Sequence, residues 1–200
     1  MKTLQDIKSI YFLGIGGIGM SALARYFSLH GKKVSGYDKT RTALTDELEK
    51  EGIQITFEDA LDTLDKEADM VVFTPAIPKN HLQYNWYLDN HYPVVKRAKI
   101  LGMAANSTFN ISIAGSHGKT STSSITAHLL HDAGKSVAAF LGGICINFNS
   151  NFIDGKDYAV AEADEFDRSF LQLEPNIALI TSVDTDHLDI YGNLEAIEAS

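Results

Sequence analysis

Three groups of residues in this chain have the types and spacing that chemistry needs. The first is Gly115-Ser116-His117-Gly118-Lys119-Thr120-Ser121, which follows the apolar run Ile111-Ser112-Ile113-Ala114 and opens a helical stretch. In a strand-loop-helix setting the backbone N–H groups of such a loop cradle phosphates, the lysine reaches the outer phosphates, and the hydroxyl after it serves Mg²⁺. That is the chemistry of a nucleoside triphosphate. The spacing departs from the common Walker form, which needs a glycine five residues before Gly118, where this chain has Ile113.

The second group is acidic. Glu162, Asp164, Glu165 and Asp167 follow the apolar run Tyr158–Ala161, and Asp184, Asp186, His187 and Asp189 follow Ile177–Ile180. Carboxylates just beyond apolar strands of a parallel sheet face the crevice that a phosphate loop also faces, where they can coordinate Mg²⁺. Glu165, Asp167 and Asp189 read equally as solvated loop positions. Zinc is disfavoured, because His187 stands without a second His or Cys at ligand spacing. A histidine is also an unusual ligand for a hard cation.

The third group is Gly14-Ile15-Gly16-Gly17-Ile18-Gly19, a G-x-G-x-x-G between an apolar run and a helical stretch. Glycines suit a tight turn that a diphosphate must approach closely, and the helix N-terminus adds unpaired N–H groups and roughly half a positive charge. Asp38 ends the next apolar run, where a carboxylate can meet a ribose hydroxyl pair. The alternative is a turn chosen for packing, with Asp38 capping a loop. These residues specify a ribose and a diphosphate, and they do not separate NAD from a UDP-sugar. Thr74-Pro75-Ala76-Ile77-Pro78 and Lys96-Arg97-Ala98-Lys99 each follow a further apolar run. Basic residues in the first turn of a helix oppose its dipole by about 0.3–1 kcal/mol each. A bound anion reverses that sign, most clearly for Arg97; Lys96 and Lys99 read equally as a solvated basic turn.

The elements that must position these groups alternate regularly. Strands are expected near 9–13, 33–37, 53–57, 70–74, 109–114, 136–141, 157–161 and 177–182, with helices at 18–30, 43–51, 80–90, 97–105 and 119–133. Gly31 and Gly134 mark helix ends. Strands and helices taking turns predict an α/β chain. A break at Ala104–Thr108 divides it into a Rossmann-like parallel-sheet domain over 1–105 and the start of a P-loop-type α/β domain over 106–200. Trp86, Tyr84 and Tyr87 are expected to pack a helix on the sheet, and His128 and His131 to be structural.

With 200 residues, 44% hydrophobic and 22% charged, the chain is neither disordered nor fibrous. Its 17 Lys+Arg against 26 Asp+Glu give a net charge of −9, which argues against nucleic-acid and anionic-membrane partners, so anions must be gripped locally. The single Cys145 allows no internal disulfide, fits a reducing compartment and reads as a small buried apolar residue. Asp6 and the glycines of 14–19 spoil a secretory leader, and charges interrupt every apolar run, so a cytoplasmic location is expected. No feature of the sequence specifies an oligomeric state.

Taken together, Gly14–Gly19, Thr74-Pro75-Ala76-Ile77, Arg97-Ala98 with Leu101, Gly115-Ser116-His117-Gly118-Lys119-Thr120, Glu162-Ala163-Asp164-Glu165 and Asp186-His187 resemble the Mur ligases of peptidoglycan synthesis, in the same order along essentially the whole chain. The short phosphate loop is that family's own form. Serines at 116 and 121 stand where threonine is usual, and Leu141 precedes Gly142-Gly143 where asparagine is frequent. The resemblance implies an ATP- and Mg²⁺-dependent ligase. In it the lactyl carboxylate of UDP-N-acetylmuramate attacks the γ-phosphate, and the amine of L-alanine displaces phosphate from the acyl phosphate. It further implies that Gly115, Ser116, His117, Gly118, Lys119, Thr120 and Ser121 bind ATP, with Lys119 on its phosphates, and that Thr120, Glu162 and His187 contact metal. By the same resemblance, Gly14, Ile15, Gly16, Gly17, Gly19, Asp38, Thr74, Pro75, Ala76 and Arg97 would hold the UDP-sugar. A ligase adding a recycled tripeptide, a nicotinamide-dependent oxidoreductase and a silent nucleotide-binding module are the rivals. In the family the central domain runs past the point where this chain stops and a third domain follows. The chain is therefore expected to be a piece that binds UDP-N-acetylmuramate without turning over alone.

Overall fold

Short runs rich in Ile, Val, Phe and Tyr, buried on both faces, form parallel strands because helices then cover each side. The computed structural model describes residues 4–164 and 166–184. The chain divides into two units, Met1–Ile100 and Leu101–Ser200.

The first unit carries β1 (Ser9–Leu13), α1 (Ile18–Leu29), β2 (Lys33–Tyr37), α2 (Ala43–Lys50), β3 (Gln54–Thr56), β4 (Met70–Phe73), α3 (Leu82–Asp89), β5 (Val94–Lys96) and the start of α4 (Arg97–Ala105). Its five strands are all parallel in the order β3-β2-β1-β4-β5. Strand order therefore reverses between β1 and β4, and the crevice outside their C-terminal ends is where such sheets bind ligands. Tyr11 and Leu13 point to one face, packed with Val71 and Tyr87. On the other face Phe12 meets Phe27 of α1, ring centroids 6.5 Å apart.

Helix α1 buries Met20, Leu23, Ala24 and Phe27, the i, i+3, i+4, i+7 stripe of a core-facing helix. It ends where Gly31 turns to φ +74, with Gly31 N–H bonded to Ser28 O and Lys32 N–H to Phe27 O, a Schellman closure. Helix α3 starts later than periodicity suggests because His81 is its N-cap: Nδ1 accepts from Tyr84 N–H at 3.2 Å. Burial lowers the pKa of His81, opposed by the Asp59 carboxylate, whose Oδ1 lies 3.1 Å from the same Nδ1. Tyr84 and Trp86 pack against the same cluster as buried Tyr87, as expected.

The second unit carries β6 (Phe109–Ala114), α5 (Lys119–Asp132), β7 (Val137–Cys145), β8 (Ser150–Ile153), β9 (Tyr158–Glu162), a 3-10 helix over Phe166–Gln172 and β10 (Ile177–Ile180). The order is β10-β6-β9-β7-β8, parallel except for the β7–β8 hairpin. The hairpin is absent from the sequence reading. Ser150-Asn151-Phe152-Ile153 has too few apolar residues to announce a strand, and β7 runs four residues past the expected end at 141 to pair with it. Strand β6 lies between β9 and β10, so whatever follows β6 is flanked by the ends of both.

Candidate functional site

In the first unit the glycine turn sits at the reversal point. Gly14 has φ +87, and a Cβ there would lie 2.6 Å from Thr74 Cγ2, so only glycine lets the end of β4 close against the turn. A Cβ on Gly16 would meet Asp38 Oδ2 and Thr45 Cγ2, both at 2.8 Å. Asp38 bonds the turn directly: Oδ2 accepts Gly16 N–H at 2.7 Å and Oδ1 accepts Thr40 N–H at 3.0 Å. Gly14 and Ile15 donate to Tyr37 O, and Gly17 donates to Gly14 O at 3.2 Å. The turn is thus tied down by its neighbours and leads into the N-terminus of α1, where Met20 and Ser21 N–H donate to Gly17 O at 3.0 and 2.8 Å.

That end carries no acidic residue in its first turn and no side-chain cap. Arg97, the first residue of α4, reaches it instead: its Nη1 would be 2.8 Å from a Cβ on Gly19. A guanidinium beside the positive end of a helix dipole is electrostatically unfavourable until an anion sits between them. The structure therefore brings Gly14–Gly19, Asp38, Thr74 and Arg97 to one crevice. Pro75 and Ala76 lie in the turn that follows, where Ala76 N–H approaches Thr74 Oγ1 at 3.5 Å.

In the second unit Gly115 (φ +124) and Gly118 (φ +81) bend the loop between β6 and α5. Gly118 is the N-cap of α5 and has no side chain to satisfy the first-turn N–H groups; the first bond back to it comes from Thr122 N–H at 3.0 Å. A helix N-terminus of this kind is a general anion-binding geometry. Lys119 folds back so that Nζ donates to Gly115 O at 2.5 Å. Ser116 N–H donates to Ser182 O at 3.0 Å and His117 N–H to Ser182 Oγ at 3.1 Å. His117 Nε2 lies 3.6 Å from Asp184 Oδ2.

Glu162, at the end of the adjacent β9, points at this loop. Its Oε2 accepts from Thr120 Oγ1 at 3.1 Å, while Oε1 accepts from Ser123 Oγ at 2.9 Å and Gly142 N–H at 2.7 Å. A Cβ on Gly142 would fall onto that carboxylate, and one on Gly143 would press Thr120 Cγ2 at 3.3 Å. Gly142 admits the acid, and Gly143 leaves room for the Thr120 side chain. Sequence reading missed Gly142 and Ser123 as its holders. Their signal was weak, since one works through a backbone N–H and the other is one hydroxyl among several on α5.

Ser121 falls in the first turn of α5, and Leu141 before the glycine pair is a buried core residue. His128 and His131 meet the Phe148 ring edge to face, with centroids 6.0 and 5.1 Å away. Cys145 is half-buried. His187, Asp186, Asp189 and Glu165 lie outside the described residues. Among the described residues no group of three or more His, Cys, Asp or Glu side chains converges as a metal cage. The donor set that does converge is one hydroxyl and one carboxylate beside a phosphate loop. Both are hard oxygens, and a small cation that keeps waters and takes phosphate oxygens needs no more from the protein.

The chain thus carries one α/β unit with a glycine turn against Asp38 and one with a glycine-lysine loop beside the Glu162 carboxylate. Residues 9–108 match the sequence profile of the Mur ligase family, catalytic domain, and residues 113–200 that of the Mur ligase middle domain. The chain belongs to the Mur ligase family. It is 56% identical over 202 residues to the UDP-N-acetylmuramate–L-alanine ligase of Flavobacterium psychrophilum, covering 98% of this chain and 45% of that protein. Among solved structures, the UDP-N-acetylmuramate–alanine ligase of Thermotoga maritima superposes with a TM-score of 0.89 at 32% identity, covering 96% of this chain and 45% of that one. A UDP-N-acetylmuramate:L-alanyl-γ-D-glutamyl-meso-diaminopimelate ligase from Neisseria meningitides superposes at 0.87 with 28% identity, covering 96% and 66%. The chain spans less than half the length of the alanine ligases it matches.

Proposed function

We propose that this chain holds the nucleotide sites of an ATP-dependent ligase that joins L-alanine to the lactyl carboxylate of UDP-N-acetylmuramate. Residues 1–105 form the UDP-sugar domain and 106–200 the start of the ATP domain. The observation that carries the reading is the contact of Thr120 with Glu162 beside the loop at 115–118. The 56% identity to an alanine ligase, against 28% to the tripeptide ligase, favours alanine over a recycled peptide. The glycine turn alone would also suit NAD, but that alternative leaves the phosphate loop and its carboxylate without a task.

The Thr120 and Glu162 oxygens would hold Mg²⁺, with His187 a further contact by family resemblance, and the ion would supply positive charge to the phosphates. The chain's own residues do the rest. First-turn N–H groups of α5 orient the phosphates, with Gly115, Ser116, His117 and Gly118 shaping the loop and Ser121 closing the turn. Lys119 leaves Gly115 O to put its ammonium on the transferring phosphoryl group, where charge builds as the carboxylate attacks. Across the first domain, Arg97 and the α1 N-terminus hold the diphosphate, while Asp38, Thr74, Pro75 and Ala76 line the way to the ribose and sugar. A cytoplasmic location goes with this reading of the family; no helix among the described residues is long and apolar enough to cross a membrane.

The test is a set of calorimetric titrations of the chain with UDP-N-acetylmuramate, MgATP and NADH. Binding of the first two at separate sites, and none of NADH, is expected. Tight NADH binding without UDP-sugar heat would end the ligase reading.

A further inference from the structure

We propose that Thr181 and Ser182, which leave the end of β10, are positioning residues for the triphosphate: their hydroxyls hold the short loop in its phosphate-accepting shape. The inference rests on the ATP reading above and extends it to residues outside the phosphate-loop motif.

Three observations converge on this segment. First, it takes up the outer N–H groups of the loop, with Ser116 N–H on Ser182 O at 3.0 Å and His117 N–H on Ser182 Oγ at 3.1 Å. Second, it holds the loop from both sides. Thr181 Oγ1 donates to His117 O, with Ala114 O a second acceptor at 3.1 Å, and Thr181 N–H donates to Ala114 O at 3.0 Å. Ser116 Oγ accepts from Asp184 N–H at 2.9 Å. Third, Gly115 is required by this segment: a Cβ there would fall on Thr181 Oγ1 and lie 2.8 Å from both Ser182 N and Ser182 O. The first glycine of the motif makes room for β10's end, with no ligand involved.

The physical consequence concerns order. The loop has two glycines and no Walker extension, so bonds from outside it add to the order of its N–H groups. The end of β10 supplies such bonds from a strand paired in register with β6, Ile180 opposite Ala114. The donors left for phosphate are then those from Gly118 onward, in the first turn of α5. When the loop is ordered only part of the time, apparent affinity falls by that fraction. Removing the Ser182 hydroxyl should therefore cost ATP affinity without touching any atom of the nucleotide.

The experiment compares the 200-residue chain with Ser182→Ala, Ser182→Thr and Thr181→Val by two readouts. One is amide exchange at Ser116 and His117 without nucleotide, and the other is the Kd for MgATP. Ser182→Ala should speed exchange at His117 and weaken MgATP by about tenfold. Ser182→Thr, which keeps the acceptor, should restore both, and Thr181→Val should reproduce the loss independently if Ser182→Ala folds poorly. Unchanged exchange at His117, or MgATP affinity within about twofold of the parent chain in both Ser182→Ala and Thr181→Val, overturns the positioning role. A parent chain that binds no MgATP overturns the ATP reading itself, an outcome distinct from a parent that binds no better than its variants.

Discussion

At the scale of single residues, the two sites differ in how openly they are written. Lys119, Thr120 and Glu162 are visible in the sequence because their chemistry resides in their side chains and their positions follow strand ends. Arg97 is visible for another reason: a basic residue opening a helix is an electrostatic anomaly. Its approach to Gly19 gives that anomaly a purpose. Replacing Arg97 with Ala should weaken UDP-N-acetylmuramate binding by about 10- to 100-fold, the worth of a charge-assisted contact to a diphosphate, and leave MgATP untouched. Arg97→Lys should recover only part, since an ammonium keeps the charge and loses the planar fork. Equal calorimetric affinities for Arg97→Ala and the parent would remove Arg97 from the site. Ser123, Gly142 and Ser182 were not legible, because they act by holding a carboxylate or a loop, and nothing in a residue type announces that.

Elements were read best where periodicity and stop signals agreed. Helices α1 and α5 both close on a glycine with positive φ, and both were placed within one residue. The β7–β8 hairpin was missed because its second strand is half polar and its turn, with Asn149 at φ +49, carries no Gly or Pro. The longer β7 matters for function, since it brings the Gly142 N–H to Glu162. In Gly142→Ala the added methyl would displace the carboxylate and cut its contact with Thr120. The expected outcome is an MgATP affinity at least about tenfold lower, because a buried-side hydrogen-bond set is lost together, with far-UV circular dichroism unchanged. A Gly142→Ala chain that binds MgATP normally would show that Glu162 does not need this seat.

For the molecule as a whole, alkali tests the first unit through its buried tyrosines. Tyr11 and Tyr87, both in the first unit and only 2% and 0% exposed, have their hydroxyl pKa values pushed far up by burial. A raised folded-state pKa means their contribution is fully present below the unfolded value near 10 and is lost as pH rises above it. Each tyrosine then removes stability at up to about 1.4 kcal/mol per pH unit, because the unfolded chain gives up a proton that the folded one keeps. Trp86 is the only tryptophan and lies in the first unit, so its fluorescence reports that unit alone. Unfolding followed by Trp86 should move to markedly lower denaturant above pH 10.5, and Tyr87→Phe should flatten the dependence by about half. A pH-independent midpoint would contradict the burial of these hydroxyls.

Within each sheet, the candidate site residues described above lie at the strands' C-terminal rim, and turns at the opposite rim lead into β2, β3 and β7. Gly31, Gly52 and Gly134 lie there, each with open space around its Cα. Those turns can accept a dye, an affinity handle or a surface tether without crowding either nucleotide. A probe attached at the exposed Lys135 would therefore report rotation and assembly of a protein whose binding chemistry remains intact.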